Sequence, residues 1–171
     1  MLAAWSEAVK VGASSHPRTG DTVIGYGTAG FRTKAELLDH VMYRWATPVT
    51  TFLHGLPRMG LLAVLRSRAQ GGQTIGAMIT ASHNPGPDNG IKLVEPAGEM
   101  LEQSWESLAT ALANCPDSGL AEELEGIVER FSLGRSGGRV VVGRDTRLSS
   151  PALREVGAAG PAASDCPCRP V

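Results

Sequence analysis

Apolar positions fall into a helical period at Ala35, Leu38, Val41 and Met42, and again at Met59 and 61–65, predicting two helical segments in the first third of the chain. Pro48 and Pro57 lie between them. A proline lacks the backbone donor and clashes with the preceding turn, so residues 45–58 are expected to form a loop rather than continue a helix. Residues 73–79 form a β-branched apolar run ending in a Ser, Asn, Pro and Gly cluster, which predicts a buried strand. Trp105, Leu108, Ala109 and Leu112 repeat at i, i+3, i+4 and i+7, as do Leu120, Leu124, Ile127, Val128 and Phe131, predicting two amphipathic helices joined across Pro116 to Gly119. Residues 139–143 read as a short buried strand. Ser149, Ser150 and Pro151 supply a cap and a first-turn proline for a helix starting near Ala152. Residues 157–171 carry glycines and prolines throughout, with no long apolar side chain before Val171. They are expected to be a disordered tail. Residues 10–21 are turn formers without periodicity. This divides the chain into a lead-in over 1–21, a domain over 22–156 with an insertion at 45–58, and the tail.

At 171 residues the chain is long enough for one domain with a real core. Sixteen Lys and Arg balance seventeen Asp and Glu, so there is no basic field for nucleic acid, and none is expected as a partner. Membrane association is not expected either, since no apolar run approaches the length that spans a bilayer. The start, Met1-Leu-Ala-Ala-Trp-Ser-Glu7, lacks the basic segment of a signal peptide. Cys115, Cys166 and Cys168 cannot all pair, and Cys166-Pro-Cys168 has no second ligand pair for zinc. A cytoplasmic, reducing setting is expected.

The chemistry concentrates in Thr80-Ala-Ser-His-Asn-Pro85 and Asp88-Asn-Gly-Ile-Lys92. Here a hydroxyl, loop-forming residues and a lysine follow a strand, and strand ends are where open α/β sheets place ligands. Ser82 is the candidate nucleophile, its alternative being an ordinary turn or cap serine. His83 adjoins it, and neighbouring side chains in an extended segment point to opposite sides, so His83 is a poor base for Ser82. It either orients loop or substrate oxygens or is a satisfied structural histidine. Asn84 and Pro85 read as turn makers, and Asp88, Asn89 and Gly90 as the turn that places Lys92. Lys92 can exchange protons near neutrality only if burial or nearby cations lower its pKa. Otherwise it is a solvated surface lysine. Upstream, Gly25-Tyr-Gly-Thr-Ala-Gly30 is a glycine-rich loop followed by Arg32, whose guanidinium suits a phosphate. Arg144 and Arg147 flank Asp145 at the end of the second strand, forming either an active-site edge or an internal Arg–Asp pair.

The serine segment, with Leu93-Val-Glu-Pro-Ala-Gly-Glu-Met-Leu101 after it, Tyr26-Gly-Thr-Ala-Gly-Phe-Arg-Thr-Lys-Ala35 before it and Val140-Val-Val-Gly-Arg-Asp-Thr-Arg147 further on, resembles the α-D-phosphohexomutases. The closest likeness is to the branch acting on N-acetylglucosamine phosphates. The resemblance runs from about Ile24 to about Val156 and covers the first of the family's four domains. It implies an α/β fold, a mixed sheet flanked by helices. It also implies a phosphoryl group on Ser82, passed to a sugar phosphate to make a bisphosphate and then recovered. Lys92 is implied as acid/base at the sugar hydroxyl, and the loop of Thr28 with Arg32 as the bed of the phosphate. Mg2+ would take one ligand from this chain, the phosphate on Ser82, and a sugar bisphosphate would be the activator. The family's Asp-x-Asp-x-Asp-Arg magnesium loop and its sugar and phosphate loops do not occur in the chain. The reading is therefore the phosphoserine-bearing domain of a mutase for N-acetylglucosamine 6-phosphate and 1-phosphate, inactive alone. The alternative is a non-catalytic fragment making protein contacts through uncovered helices. The family pattern has no counterpart to 45–58, which is why that segment reads as inserted.

Overall fold

Two antiparallel strands, β1 (Ile24–Gly27) and β2 (Gly30–Thr33), open the described fold. The computed structural model describes residues 24–27, 30–33, 49–80, 89–163 and 168–170, and side-chain surroundings for 55–80 and 89–162. After the hairpin come α1 (Val49–Ala69), β3 (Thr74–Ile79), β4 (Ile91–Val94), α2 (Gln103–Asn114), a 3-10 turn (Asp117–Gly119), α3 (Leu120–Arg130), β5 (Arg139–Arg144), α4 (Ser150–Ala163) and β6 (Cys168–Pro170). The sheet order is β1-β2-β4-β3-β5-β6. Strands β4 and β2 pair antiparallel, β3 and β4 antiparallel, and β3, β5 and β6 run parallel. The fold is α/β with a mixed sheet, as expected.

Alternation explains which face is covered. Ile75, Ala77 and Ile79 of β3, Ile91 and Leu93 of β4, and Val140 and Val142 of β5 are all buried, with half-buried residues between them. Register aligns them, since Ile75 is opposite Val140, Ala77 opposite Val142 and Leu93, and Ile79 opposite Ile91. Helix α1 packs on β3, β4 and β5 and carries Leu56, Met59 and Leu61 to Leu65 into this core. It ends where Gly71 and Gly72 turn left-handed, at φ 65° and 83°, with Gly72 N donating to Ser67 O. From the last turn, the buried Ser67 hydroxyl donates to Gln73 O at 2.5 Å and accepts from Arg139 N at 2.9 Å, joining α1 to the starts of β3 and β5.

Two buried arginines tie α1 to the rest. Arg58 donates to the carbonyls of Leu112 and Cys115, both at 2.7 Å, and to Asp117 at 2.5 Å, so one guanidinium satisfies the open C-terminal end of α2. Arg66 reaches Glu95 and Glu102, each at 2.8 Å, and lies over the Trp105 ring, which stacks on Phe131.

The structure corrects two expectations. Residues 49–58 are helical, with Pro57 inside α1 and Leu56 and Arg58 buried, so that part of the expected loop is core. Pro57 forfeits one helix bond, but its segment is packed from the side by α4. Residues 157–163 likewise continue α4 rather than starting a disordered tail, and 168–170 add a sheet strand. Bulky apolar side chains are not what hold this end. Small residues are: a Cβ on Gly160 would lie 2.2 Å from Pro57 O, and one on Gly60 would lie 2.6 Å from Gly157 O, so the two helices meet backbone to backbone. Gly25 and Gly27 of the glycine-rich segment lie on β1 and Gly30 on β2, and Ile91–Val94 is a strand where the sequence reading assigned no element. The helical stripe at Ala35 to Met42 and the lead-in lie outside the described residues, as do 45–48.

Two glycine substitutions separate these roles. Gly160→Ala should lower stability by about 1 to 3 kcal/mol through overpacking. Gly126→Ala, at an exposed site on α3 with open space around it, should raise stability by up to about 1 kcal/mol. Thermal or urea unfolding of both variants reads the difference.

Candidate functional site at the end of the central strand

The pairing of β3 decides what meets at its C-terminal end. Ile79 is opposite Arg144 on one side and Ile91 on the other, so the residues just beyond, Thr80, Asp145 and Gly90, come together. Thr80 N donates to Gly90 O at 2.9 Å, and Asp145 N donates to Ile79 O at 3.0 Å. The segment carrying Ser82 leaves at Thr80 and returns at Asn89.

Both stems are held by side chains. Thr80 Oγ1 donates to Asp145 Oδ2 at 2.9 Å, and Ser150 Oγ donates to Asp145 Oδ1 at 2.5 Å. Asn89 Nδ2 donates to Ser149 Oγ and Ser150 Oγ, both at 2.9 Å, while its Oδ1 accepts from Gly90 N. Asn89 and Ser150 are fully buried. Arg147 donates to Asp145 twice, from its backbone N–H at 3.0 Å and from its guanidinium. The carboxylate also lies at the N-terminal end of α4, where negative charge is favoured. Burial pushes the Asp145 pKa up, but hydrogen bonds from Ser150, the Arg147 backbone, Thr80 and the Arg147 guanidinium outweigh it and leave the pKa below the ordinary aspartate value.

The predicted residues fare differently. Ser82, His83, Asn84, Asp88 and Thr28 lie outside the described residues, and Arg32 is placed on β2 opposite Gly25 without a described side chain. Asn89 and Gly90 form the return stem, as a buried polar anchor rather than a simple turn. Lys92 is half-buried on β4 opposite Met78, alternating with the core residues Ile91 and Leu93. Arg144 is exposed and donates to the Asp145 carbonyl. Arg147 forms the internal pair with Asp145, one of the two arrangements its spacing allowed. Sequence reasoning named Asp145 only as a partner for the arginines and missed its bonds to Thr80 and Ser150, and it missed Ser150 as a link to Asn89. The signal was there as an acidic residue at a strand end, five positions before a Ser-Pro helix start. A cavity of about 540 Å³, lined by Arg66, Gln70, Glu95, Glu99 and Glu102 among others, adjoins the other ends of β3 and β4, away from these stems. Among the described residues no group of three or more His, Cys, Asp or Glu could hold a metal ion.

Comparison with known proteins completes the picture. Residues 61–115 match the phosphoglucomutase/phosphomannomutase alpha/beta/alpha domain I. The chain is 49% identical over 150 residues to phosphoacetylglucosamine mutase of Sus scrofa, covering 87% of this chain and 25% of that protein. To the Homo sapiens enzyme of that name it is 50% identical over 141 residues, covering 82% and 23%. An N-acetylglucosamine-phosphate mutase structure in the apo form superposes with a TM-score of 0.82 at 35% identity, over 97% of this chain and 34% of that one. The Aspergillus fumigatus N-acetylphosphoglucosamine mutase in complex with GlcNAc-6P and magnesium gives 0.75 at 40% identity, over 98% and 28%. Fold and sequence thus match the first domain of a phosphohexomutase. The chain belongs to the phosphoacetylglucosamine mutase family of the α-D-phosphohexomutases, and it spans about a quarter of the length of the curated relatives it matches.

The lowered Asp145 pKa fixes a sign. A carboxylate whose folded pKa is depressed adds stability above its unfolded pKa, about 3.9, and that share is lost as pH falls through the folded value. The stability difference between the parent chain and Asp145→Asn should therefore hold steady from pH 7 to about pH 4 and shrink below it. Urea unfolding midpoints across this range provide the check.

Proposed function

We propose that the chain is the phosphoserine-bearing domain of a mutase that interconverts N-acetylglucosamine 6-phosphate and N-acetylglucosamine 1-phosphate, with Ser82 as the phosphoryl carrier. The observation that carries this reading is the double anchoring of the Ser82 segment: Thr80 and Asn89 are tied through Asp145 and Ser150 at the C-terminal end of β3. Phosphoryl transfer depends mainly on positioning and charge neutralisation, so a carrier serine benefits from fixed stems. The family names of the relatives support the substrate class.

In this reading the phosphoryl group leaves Ser82 Oγ for the free hydroxyl of a sugar phosphate. The bisphosphate so formed returns its other phosphoryl group to Ser82. Lys92 takes up and returns the hydroxyl proton, and Arg32 with the Thr28 loop neutralises the phosphate. The solved Aspergillus fumigatus complexes contain glucose 1,6-bisphosphate in one case and magnesium in another, in keeping with a bisphosphate activator and a divalent cation for the whole enzyme. In that enzyme the phosphate on Ser82 would supply one ligand to the cation. By itself the 171-residue chain is expected to be inactive, because the aspartate, sugar and phosphate loops of the family are not in its sequence.

Co-expression with an active mutase, followed by peptide mass spectrometry, should place a phosphoryl group on Ser82. Phosphate found chiefly on Ser104, Ser149 or Ser150 would overturn the assignment. A coupled assay of the chain alone should give no turnover of N-acetylglucosamine 6-phosphate, and a rate of about 1 per second or more would contradict the expected inactivity.

A further inference from the structure

We infer that Asp145 is a positioning residue for the phosphoryl-carrying segment, acting through Thr80 and through Ser150 to Asn89 and not on substrate itself. The inference rests on the reading of Ser82 above and names what holds that serine in place.

Direction of donation is the first argument. A carboxylate can only accept, so it dictates that Thr80 and Ser150 both point their hydrogens at it. With its single hydrogen so committed, Ser150 Oγ presents lone pairs to Asn89 Nδ2. Asn89 then has its amide oxygen on Gly90 N, the residue whose carbonyl receives Thr80 N. Thr80, Asp145, Ser150, Asn89 and Gly90 form one closed ring of hydrogen bonds, and eight residues, 81–88, span its two stems.

Location is the second. The ladder between β3 and β5 ends at Ile79 and Arg144, and the core residues Ile75, Ala77 and Ile79 are covered by helices. Asp145 lies one residue past that ladder. Its carboxylate therefore does little for register or core and much for the separation and direction of the two stems. Fixing stems in advance removes ordering that would otherwise oppose each transfer.

The test uses the full chain, its Asp145→Ala and Asp145→Asn variants, and Thr80→Val, which removes one donor at near-constant volume. Hydrogen exchange by mass spectrometry reads peptides covering 81–89 against those of β3 and α1. Incubation with glucose 1,6-bisphosphate and magnesium, with an active mutase present, reads phosphoryl uptake on Ser82. Asp145→Ala should speed exchange in 81–89 by roughly three- to tenfold, the range that one hydrogen bond is worth, with a smaller rise in β3 and α1, and should slow Ser82 labelling. Asp145→Asn should fall between, because one oxygen can still accept from Ser150. Unchanged exchange in 81–89, or an equal rise in β3 and α1, would overturn the inference. If Asp145→Ala does not fold, Thr80→Val decides by the same two criteria. Absence of labelling in the parent chain would instead remove the role given to Ser82, while the exchange data still judge the ring.

Discussion

Pairing of β3 on both edges is the constraint on which the rest depends. Because β5 runs parallel to it and β4 antiparallel, the departure at Thr80, the return at Gly90 and the exit at Asp145 all fall at one end of the sheet. Slipping either neighbour by one residue would also turn Ile75, Ala77 and Ile79 away from their buried partners, so the hydrophobic core enforces the same register that assembles the polar stems. Core and site are thereby specified together, by one set of strand contacts.

Charged groups inside the helical layer obey the same economy of placement. Arg58 is buried because the end of α2 offers carbonyls with no helical partner, and its guanidinium has enough donors to meet two of them and Asp117. Arg66 is held between two carboxylates and an aromatic face. Removing either arginine would strand buried acceptors, a larger loss than that of any single surface pair. These two side chains make α1 the joint between the sheet and α2, whereas its small residues make the contact with α4.

What was legible in the chain follows from which signals are local. Strands β3 and β5 and helices α2 and α3 were readable because their periodicity is strong and their ends carry Gly, Pro or Ser. Strand β4 was hidden behind its neighbouring motif, since four residues following Asn-Gly look like a continuing loop until β3 supplies a partner. The helix over 49–58 and the continuation of α4 were misjudged for a shared reason. Proline and glycine were weighed by their intrinsic effect on an isolated helix, which close packing between two helices overrides. At the proposed site, Ser82 and Lys92 stand out in the sequence by residue type, and Ser82 itself lies outside the described residues. The role of Asp145 was not legible, because it depends on Thr80 and Ser150 arriving from other elements, 65 and 5 positions away.

The backbone contact between α1 and α4 has a consequence for how such sequences can diverge. Gly160 admits no side chain because Pro57 O occupies the space, and Gly60 admits none because of Gly157 O and the Pro161 ring. Residues about a hundred positions apart are thus locked as a matched pair. Drift at one helix has to be answered at the other, so sequences sharing this contact should vary at these positions in concert: a bulkier residue at 160 calls for a changed course of α1 near 57, and the segment that looks most foreign to the fold can be exchanged only together with the C-terminal half of α4.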